Sequence, residues 1–254
     1  MLPLSAYLPN SDAFSGTFTT ANQVTPFGSI ESAPTGFRGL LMGNRGVLLP
    51  RHYDMPRPYA IKPWITCVLK DKSNQPIPKS DVKYTRLFFL DEVTAFAAGH
   101  RPCGQCQKKR YIQFVDIWCK ANLKDSKQLD EILHIERTET HIGGAGFQRV
   151  AMPKDLPSGT FVRLENDRRP HLLLLGKLFP WAITGYAAPT RLTDTAVVQV
   201  LTPASIVKTF QAGFPLPINS EVTVHSSVLN HFVGPTSSAI TEPEVGSSPY
   251  IASS

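Results

Sequence analysis

Several features that would restrict the class of this protein are scarce or missing from its sequence. The 254 residues include only four cysteines, too few for the disulfide framework of a small secreted protein. No apolar stretch approaches the length of about 20 residues that a membrane-spanning helix needs. The first Lys or Arg is Arg38, so the N-terminus lacks the basic start of a secretory signal. We therefore expect a soluble protein of the reducing cytoplasm, without a membrane partner.

Changes in composition divide the chain into four parts. Residues 1–37 are rich in Ser, Thr, Asn, Pro and Gly, which predicts an N-terminal arm that is disordered or laid over the fold. Residues 218–254 are rich in Ser, Thr, Pro and Val and predict a flexible tail. Between them, residues 38–124 are predicted as a basic module and residues 125–217 as a helix followed by a β-rich region. The length suits one domain or two small ones.

The positive charge of the chain is concentrated in residues 38–124. This segment holds 16 Lys and Arg against 6 Asp and Glu, a net charge of +10, and the flanks together carry −4. Such clustering is the electrostatic footprint of a protein that approaches phosphates. The alternative is a solvated surface that only keeps the protein soluble. We predict DNA or another polyanion as the partner, contacted by Arg101, Lys108, Lys109 and Arg110.

The closely spaced cysteines Cys103 and Cys106 lie between two predicted helices. The first helix is predicted over residues 92–98, with Asp91 as its N-cap. The second is predicted over about residues 105–121, which would place Cys106 in its first turn, where free N–H groups favour a thiolate. A Cys-x-x-Cys pair in a turn that enters a helix is half of a zinc site. A thioredoxin-like redox pair would instead follow a strand.

Strands are predicted on both sides of these helices. Upstream, the pattern predicts three strands, over residues 43–49, 64–70 and 85–90. The second and third are predicted to form a hairpin, with residues 72–83 as its loop. Downstream, it predicts a helix over residues 125–138 and a short helix over residues 203–211. Between them it predicts three strands, over residues 160–165, 171–175 and 196–201. The predicted fold class is α+β, with a small sheet plus a helix–turn–helix zinc module, followed by a β-rich region.

The motif around the cysteine pair resembles a known family over about residues 60–110. The matching residues are Phe88, Phe89, Ala95, Ala97, Ala98, Gly99, Arg101, Pro102, Cys103 and Cys106. They resemble the zinc-binding N-terminal module of Ada-type DNA alkylation-repair proteins, in which four cysteines hold zinc and one thiolate accepts a methyl group from a DNA methyl phosphotriester. The resemblance implies that Cys67 is this acceptor. The segment also resembles uncharacterised bacterial proteins that carry LFFLDE-x-x-A-x-AAGHRPC.

Three cysteines are the predicted metal ligands, and the fourth ligand stays open. Cys67 lies in a predicted strand that can reach the turn of Cys103 and Cys106. The family's second cysteine follows the first by four residues, and Asp71 stands at that position here. Asp71 and His52 are equal candidates for the fourth ligand. The departure at Asp71 weakens the methyl-acceptor inference more than it weakens the zinc inference.

Two further residues are a weaker candidate and an excluded one. His100 ranks below the other candidates because it would share a very tight turn with Cys103. Cys119 is excluded because it lies thirteen residues beyond Cys106, about 20 Å along the same helix. Cys119 repeats the buried face of that helix, so we predict that it belongs to the core.

Three kinds of function remain open, and with them the question of whether the chain is an enzyme. The first is an Ada-like module that binds DNA and uses Cys67 as a stoichiometric methyl acceptor. The second is a zinc hydrolase, since a carboxylate such as Asp71 could leave a water on the metal. A deaminase is included, because His134-Ile135-Glu136 and the cysteine pair match its motifs in reverse order. The third is a zinc-stabilised nucleic-acid-binding or interaction protein without chemistry.

Overall fold

The computed structural model describes residues 22–34, 37, 39–48, 57–69, 84–140, 149–191 and 197–217. Within these ranges the chain forms four α-helices, two short 3-10 helices and thirteen strands in two sheets, which confirms the α+β class. None of the helices in these ranges is long and apolar enough to cross a membrane. The candidate ligands Asp71 and His52, the loop 72–83 and the tail 218–254 lie outside the described residues.

The first sheet is built from the N-terminal half of the chain. Its six strands are β1 (Asn22–Val24), β2 (Ile30–Ser32), β3 (Leu41–Asn44), β4 (Ile65–Val68), β5 (Leu87–Phe89) and β6 (Arg101–Pro102). They lie in the order β2-β1-β5-β3-β4-β6. The pairs β1–β5 and β4–β6 are parallel, and the other neighbours are antiparallel. The edge strand β6 therefore lies beside β4, the strand that carries Cys67.

One prediction about this sheet is wrong. β4 and β5 do not form a hairpin, because β3 lies between them and pairs with both. A long connection imposes no register, so it leaves room for a third strand. Gly43 in β3 permits this order, since a Cβ atom there would meet the Phe89 ring at 2.4 Å. Within the segment predicted as an N-terminal arm, β1 and β2 belong to the sheet.

Two helices flank the cysteine pair, with one shift from the prediction. Helix α1 spans Glu92–Ala97, and its N-cap Asp91 accepts a hydrogen bond from the Thr94 N–H at 2.8 Å. Helix α2 spans Lys108–Asn122, so it begins about three residues later than predicted. The chain first completes a turn around the cysteine pair and only then becomes helical. Cys106 therefore lies in this turn and not in the first turn of α2.

The two predicted halves share a single helical core. Helix α3 spans Leu129–Thr140 after a 3-10 turn, and α4 spans Ala204–Gln211. Both share one core cluster with α2, built from buried side chains on either side of residue 124: Phe96, Phe114, Trp118, Leu129, Leu133, Ile206, Phe210 and Phe214. Cys119 packs against the same cluster, as predicted. The predicted boundary at residue 124 therefore marks a change in composition and not a gap between cores.

The second sheet is antiparallel and contains four strands that the pattern missed. Its strands are β7 (Val150–Ala151), β8 (Phe161–Arg163), β9 (Pro170–Leu174), β10 (Lys177–Ala182), β11 (Gly185–Tyr186), β12 (Thr190–Arg191) and β13 (Val198–Val200). They follow the order β11-β10-β9-β8-β13-β7, and β12 also pairs with β10. The pattern missed β7, β10, β11 and β12, and Pro180 hides β10 from a sequence-based prediction, because proline weakens any strand assignment. Leu175, predicted as strand, is 73% exposed and forms the β9–β10 turn with positive φ.

Helix α1 joins the two sheets. Its Ala95 packs with the core of the first sheet, whereas Val93 and Ala97 pack with the second. Alanine-rich composition suits this position, because a helix covered on all sides needs small side chains for close approach. Asp91, directly before the helix, accepts a 2.6 Å bond from the Tyr186 hydroxyl in the second sheet. The segment that leads into the cysteine turn is therefore held from both sides.

Candidate metal centre

Three cysteines meet where the pairing of strands β4 and β6 ends. The parallel register sets Thr66 opposite Pro102, so the next residues in the chain are Cys67 and Cys103. The turn after Cys103 then brings Cys106 to the same place. The three Sγ atoms lie within 4.8 Å of one another, close enough to hold a metal ion. The structure thus groups the three cysteines that the sequence analysis selected.

Backbone hydrogen bonds hold the turn and point at its sulfur atoms. The Cys103 N–H donates to the Thr66 carbonyl at 2.9 Å and continues the pairing of β4 with β6. The Gln105 N–H donates to the Cys103 Sγ at 3.4 Å, and the Cys106 N–H also donates to this sulfur. The Val68 N–H donates to the Cys106 sulfur. Such donors favour the charged form of a thiol, so the turn is suited to thiolate ligands.

The three thiols differ in acidity. The pKa of Cys103 is lowered, first by hydrogen bonds from the Cys106 and Cys67 thiols and further by the backbone N–H groups. The pKa of Cys67 is raised, first by its hydrogen bond to Cys103 and also by burial. The pKa of Cys106 is raised mainly by its hydrogen bond to Cys103. One thiolate is thus stabilised by two thiols, and a bound cation would favour all three thiolates.

The sulfur atoms also differ in their access to solvent. Cys103 is buried, whereas Cys67 and Cys106 are half-buried, and all four cysteines of the chain are free. Among the described residues, the group contains these three cysteines and no histidine or carboxylate. Any fourth ligand must therefore come from a residue outside the described ranges or from solvent.

His100 is not a ligand of this centre. Its ring is fully buried against Trp64 and Phe89, and its Nε2 accepts a 3.1 Å hydrogen bond from the Arg45 Nε. Its Nδ1 lies 3.2 Å from the Ala98 carbonyl, so Nδ1 carries the proton. Burial, together with the nearby Arg45 charge, lowers the pKa of His100 well below its usual value. The lower-ranked ligand candidate is therefore wrong, and His100 is a neutral core residue.

Two basic residues lie in the core beside this histidine. The guanidinium carbons of Arg45 and Arg137 lie 3.9 and 4.0 Å from the centre of the Trp64 ring. Arg45 donates to the Gly28 carbonyl at 2.8 Å, and Arg137 donates to the Gly99 carbonyl at 2.9 Å. Burial lowers the pKa of both, that of Arg137 to about 9. Arg45, which is one of the charges counted in residues 38–124, is therefore internal.

Two of the four predicted nucleic-acid contacts are occupied within the protein. Arg101 donates through Nε and Nη2 to both carboxylate oxygens of Asp130, each at 2.7 Å. Arg110 donates to both oxygens of Glu92 at 2.9 and 2.6 Å, and its guanidinium lies 4.1 Å from the Phe214 ring centre. These bidentate pairs engage both guanidinium groups within the protein, and contact of Arg101 and Arg110 with phosphate stays a prediction. The composition of residues 38–124 indicated positive charge but could not reveal the carboxylates that pair with these two arginines.

Lys108 and Lys109 occupy a different environment. Both side chains are exposed at the start of α2, two and three residues after Cys106. No hydrogen bond or ion pair to a described residue engages either ammonium group. The N-terminus of a helix also carries partial positive charge. The prediction that these two lysines contact a polyanion stays open.

The deaminase-like motif is not assembled in the described part of the chain. The His134 ring packs edge-on against Tyr59, with ring centres 4.9 Å apart. The Glu136 carboxylate accepts hydrogen bonds from the Ser205 N–H at 2.9 Å and from its hydroxyl at 2.6 Å. Burial raises the pKa of Glu136, and these bonds oppose the shift. Neither residue belongs to the cysteine group, so the reversed order of the motifs has no spatial counterpart.

Sequence reasoning missed three residues that hold the centre in place. The Thr66 carbonyl accepts hydrogen bonds from the Cys103 N–H and from the Gln107 side chain. Asp130 pairs with Arg101, which lies two residues before Cys103. Asp130 carried no usable signal, because its partner is 29 residues away. Gln107 carried none either, because the predicted helix start at about residue 105 placed it inside the helix and not at the N-cap where the structure has it.

The assignment of the centre rests on the geometry of these residues. Its donors are three sulfur atoms from two segments that are joined by a parallel strand pair. Thr66 and Pro102, which precede two of these cysteines, are buried, whereas Lys108 and Lys109, which follow the third, are exposed. Comparison of the chain with protein-family models, with curated proteins and with solved structures found no match in any of the three.

Proposed function

We propose that Cys67, Cys103 and Cys106 hold one zinc ion in a DNA-binding module of the Ada type. The observation that supports this is the approach of the three Sγ atoms to within 4.8 Å. Tetrahedral zinc with bonds of about 2.3 Å sets its sulfur ligands about 3.8 Å apart. The sulfur atoms therefore need to move together by at most about 1 Å. Asp71 and His52 remain the candidates for the fourth ligand.

The donor set and its surroundings favour zinc. Soft thiolates select zinc, copper(I) or iron over magnesium and calcium. Zinc, when bound, keeps its thiolate ligands deprotonated at neutral pH. The Gln105 and Cys106 N–H groups that donate to the Cys103 sulfur offset part of the negative charge that three thiolates bring together. This arrangement suits a stable thiolate centre better than a pair of cysteines that forms and breaks a disulfide.

Cys67 is the residue we assign to methyl transfer. It is half-buried and lies on a strand, whereas Cys103 is buried and held by two backbone N–H groups. In the reaction, the Cys67 sulfur attacks the methyl carbon of a methyl phosphotriester, a sulfur–carbon bond forms, and the carbon–oxygen bond breaks. The phosphodiester leaves with the electron pair. The thioether at Cys67 is neutral and has no easy route back, so each molecule reacts once.

Lys108 and Lys109 are the residues we assign to phosphate contact. They are exposed and close in sequence to Cys106, so phosphates that they bind would lie near the thiolates. Arg101 and Arg110 are not included, because their guanidinium groups are paired with Asp130 and Glu92. The DNA contact is therefore smaller than the charge of residues 38–124 suggests.

The second candidate function is a zinc-stabilised nucleic-acid-binding protein without chemistry. One observation favours it: Asp71 stands where the resemblance implies a fourth thiolate. A carboxylate is a harder ligand than a thiolate and activates the remaining sulfur atoms less. The same centre would then serve only to hold β4 and the cysteine turn together.

Metal analysis tests the proposal first. Protein purified without chelator should contain one zinc ion per chain, and Cys103→Ser should lose it. Cys119→Ser is the matched control, because Cys119 packs in the helical core and should leave the zinc content unchanged. A wild-type protein without zinc would contradict the proposal.

Methyl transfer separates the two candidate functions. After incubation with DNA that carries methylated phosphates, the peptide containing Cys67 should gain the mass of one methyl group. If zinc-loaded protein gains no methyl group at any cysteine, methyl transfer is excluded. The second candidate, a nucleic-acid-binding protein without chemistry, then remains.

Salt dependence tests the lysines. Changing Lys108 and Lys109 to Ala should reduce the slope of log affinity for DNA against log salt by about 1.8, since each phosphate contact contributes about 0.9. The matched control changes Lys154 and Lys177, which are exposed in the second half of the chain, and should leave the slope unchanged. Equal slopes for wild type and the first variant would assign the DNA contact to other residues.

A further inference from the structure

We infer that Gln107 is a positioning residue that fixes Cys67 against the cysteine turn, an inference that rests on the proposed zinc centre. Gln107 occupies the N-cap of α2, yet its side chain forms no capping hydrogen bond. Its Nε2 instead donates to the Thr66 carbonyl at 2.8 Å and lies 3.5 Å from the Thr66 hydroxyl. The side chain thus leaves its own helix and reaches the strand that carries Cys67.

The choice of glutamine is unfavourable for the helix itself. An N-cap normally carries Ser, Thr, Asp or Asn, because these side chains can accept a hydrogen bond from an N–H group of the first turn. Gln107 leaves that role unfilled. A residue that departs from the preference of its own helix or strand usually marks a functional site. Here the side chain serves the contact between Thr66 and the turn.

The bond joins the two segments that supply the sulfur atoms. Thr66 directly precedes Cys67, and Gln107 directly follows Cys106. The Thr66 carbonyl also accepts the Cys103 N–H at 2.9 Å, so two donors fill its two lone pairs. Thr66 is buried, so water cannot easily replace either donor. The strand and the turn are therefore locked together by the protein itself.

This arrangement predicts a site that is formed before the ion arrives. When a protein holds its ligands in place, less conformational freedom is lost on binding, and affinity rises. Loss of a residue that orients metal ligands typically weakens affinity by about 10- to 100-fold. Because the Cys103 N–H still holds Thr66 in a Gln107 variant, we expect the lower end of that range, about tenfold.

Two substitutions distinguish positioning from general stability. Gln107→Ala removes the bond to Thr66, and Gln107→Ser removes it while providing a better N-cap. Both should weaken zinc binding about tenfold, measured by competition with a chromophoric chelator. The melting temperature of the metal-free Gln107→Ser protein should equal or exceed that of wild type, because its helix is better capped.

Gln113→Ala is the matched control. Gln113 is exposed on the same helix, and its side chain accepts from Arg110 at 3.2 Å, away from the cysteines. Its zinc affinity should stay within about twofold of wild type. Wild-type affinity in both Gln107 variants would overturn the inference and leave the zinc proposal intact. A parallel fall in zinc affinity and melting temperature in Gln107→Ser would overturn it too, because that pattern indicates a merely structural role.

Hydrogen exchange keeps the inference testable if the wild type binds no zinc. The Cys103 amide donates to the same Thr66 carbonyl, so a loosened junction should expose it. In metal-free Gln107→Ser we expect faster exchange at Cys103 and unchanged exchange in the helical core. Unchanged exchange at Cys103 would show that Gln107 does not hold the junction, whatever the metal content.

Discussion

Removal of the Asp130 carboxylate should destabilise the protein far more than removal of the carboxylate next to it. Asp130 accepts two 2.7 Å bonds from Arg101, and the two side chains are 28% and 11% exposed. Glu131 pairs with Lys62 at 2.6 Å, and those side chains are 52% and 55% exposed. Both acids lie in the first turn of α3, so Asp130→Ala and Glu131→Ala lose the same interaction with the helix dipole.

The expected difference follows from burial. Loss of one partner in a fully buried ion pair costs about 3–5 kcal/mol, because the other charge stays buried without compensation. Water can reach the partly exposed Asp130 position, so we expect the free energy of unfolding to fall by about 2 kcal/mol in Asp130→Ala. The free energy of unfolding of Asp130→Asn should fall by a similar amount, because an amide cannot replace the bidentate carboxylate. Glu131→Ala should lower the free energy of unfolding by less than about 1 kcal/mol.

Equilibrium unfolding in urea, with an unchanged m value, measures this difference. For a chain of this size, a change of about 2 kcal/mol corresponds to a fall of about 4–8 °C in the melting temperature. Equal destabilisation by Asp130→Ala and Glu131→Ala would refute the argument, since it would mean that the burial of the Arg101 pair contributes nothing. Unchanged stability in both variants would refute it as well.

Three further predictions concern the core and its response to pH. Burial lowers the pKa of His100 well below 6.5, so only the unfolded chain takes up this proton as the pH falls through 6.5. Stability should then fall by up to about 1.4 kcal/mol per pH unit, and His100→Gln should flatten this slope by about one proton. Phe114→Ala should cost about 3–5 kcal/mol in urea unfolding, whereas Ile112→Ala on the same helix should cost less than about 1 kcal/mol. Gly43→Ala should lower the melting temperature, because its Cβ would meet the Phe89 ring at 2.4 Å, and an unchanged value would refute the close packing.

Features that depend on residues three or four positions apart could be predicted from the sequence. The N-cap at Asp91 and the helix after it are confirmed, because the capping bond spans three residues. The helix predicted over residues 125–138 is present as a 3-10 turn followed by α3, and Cys119 packs against the core as predicted, since helical periodicity is a local pattern. The start of α2 was predicted too early, because the hydrogen bonds of the cysteine turn compete with helix formation there.

Features that depend on distant pairing could not be predicted. The place of β3 between β4 and β5 is decided by which strands bury their apolar faces together, and long connections carry no information about it. The pairing of the basic residues could not be predicted for the same reason. The sequence indicated a positively charged surface, but Arg101 and Arg110 are paired with acids 29 and 18 residues away.

The candidate centre combines both kinds of information. The spacing of Cys103 and Cys106 is local, so the sequence by itself determined that they share one turn. Cys67 is 36 residues away from Cys103, and only the parallel pairing of β4 with β6 brings its sulfur to that turn. The neighbouring residues of a chain determine its turns and caps, because those bonds span few residues. The meeting of three sulfur atoms depends on strand register, which the whole core selects through burial.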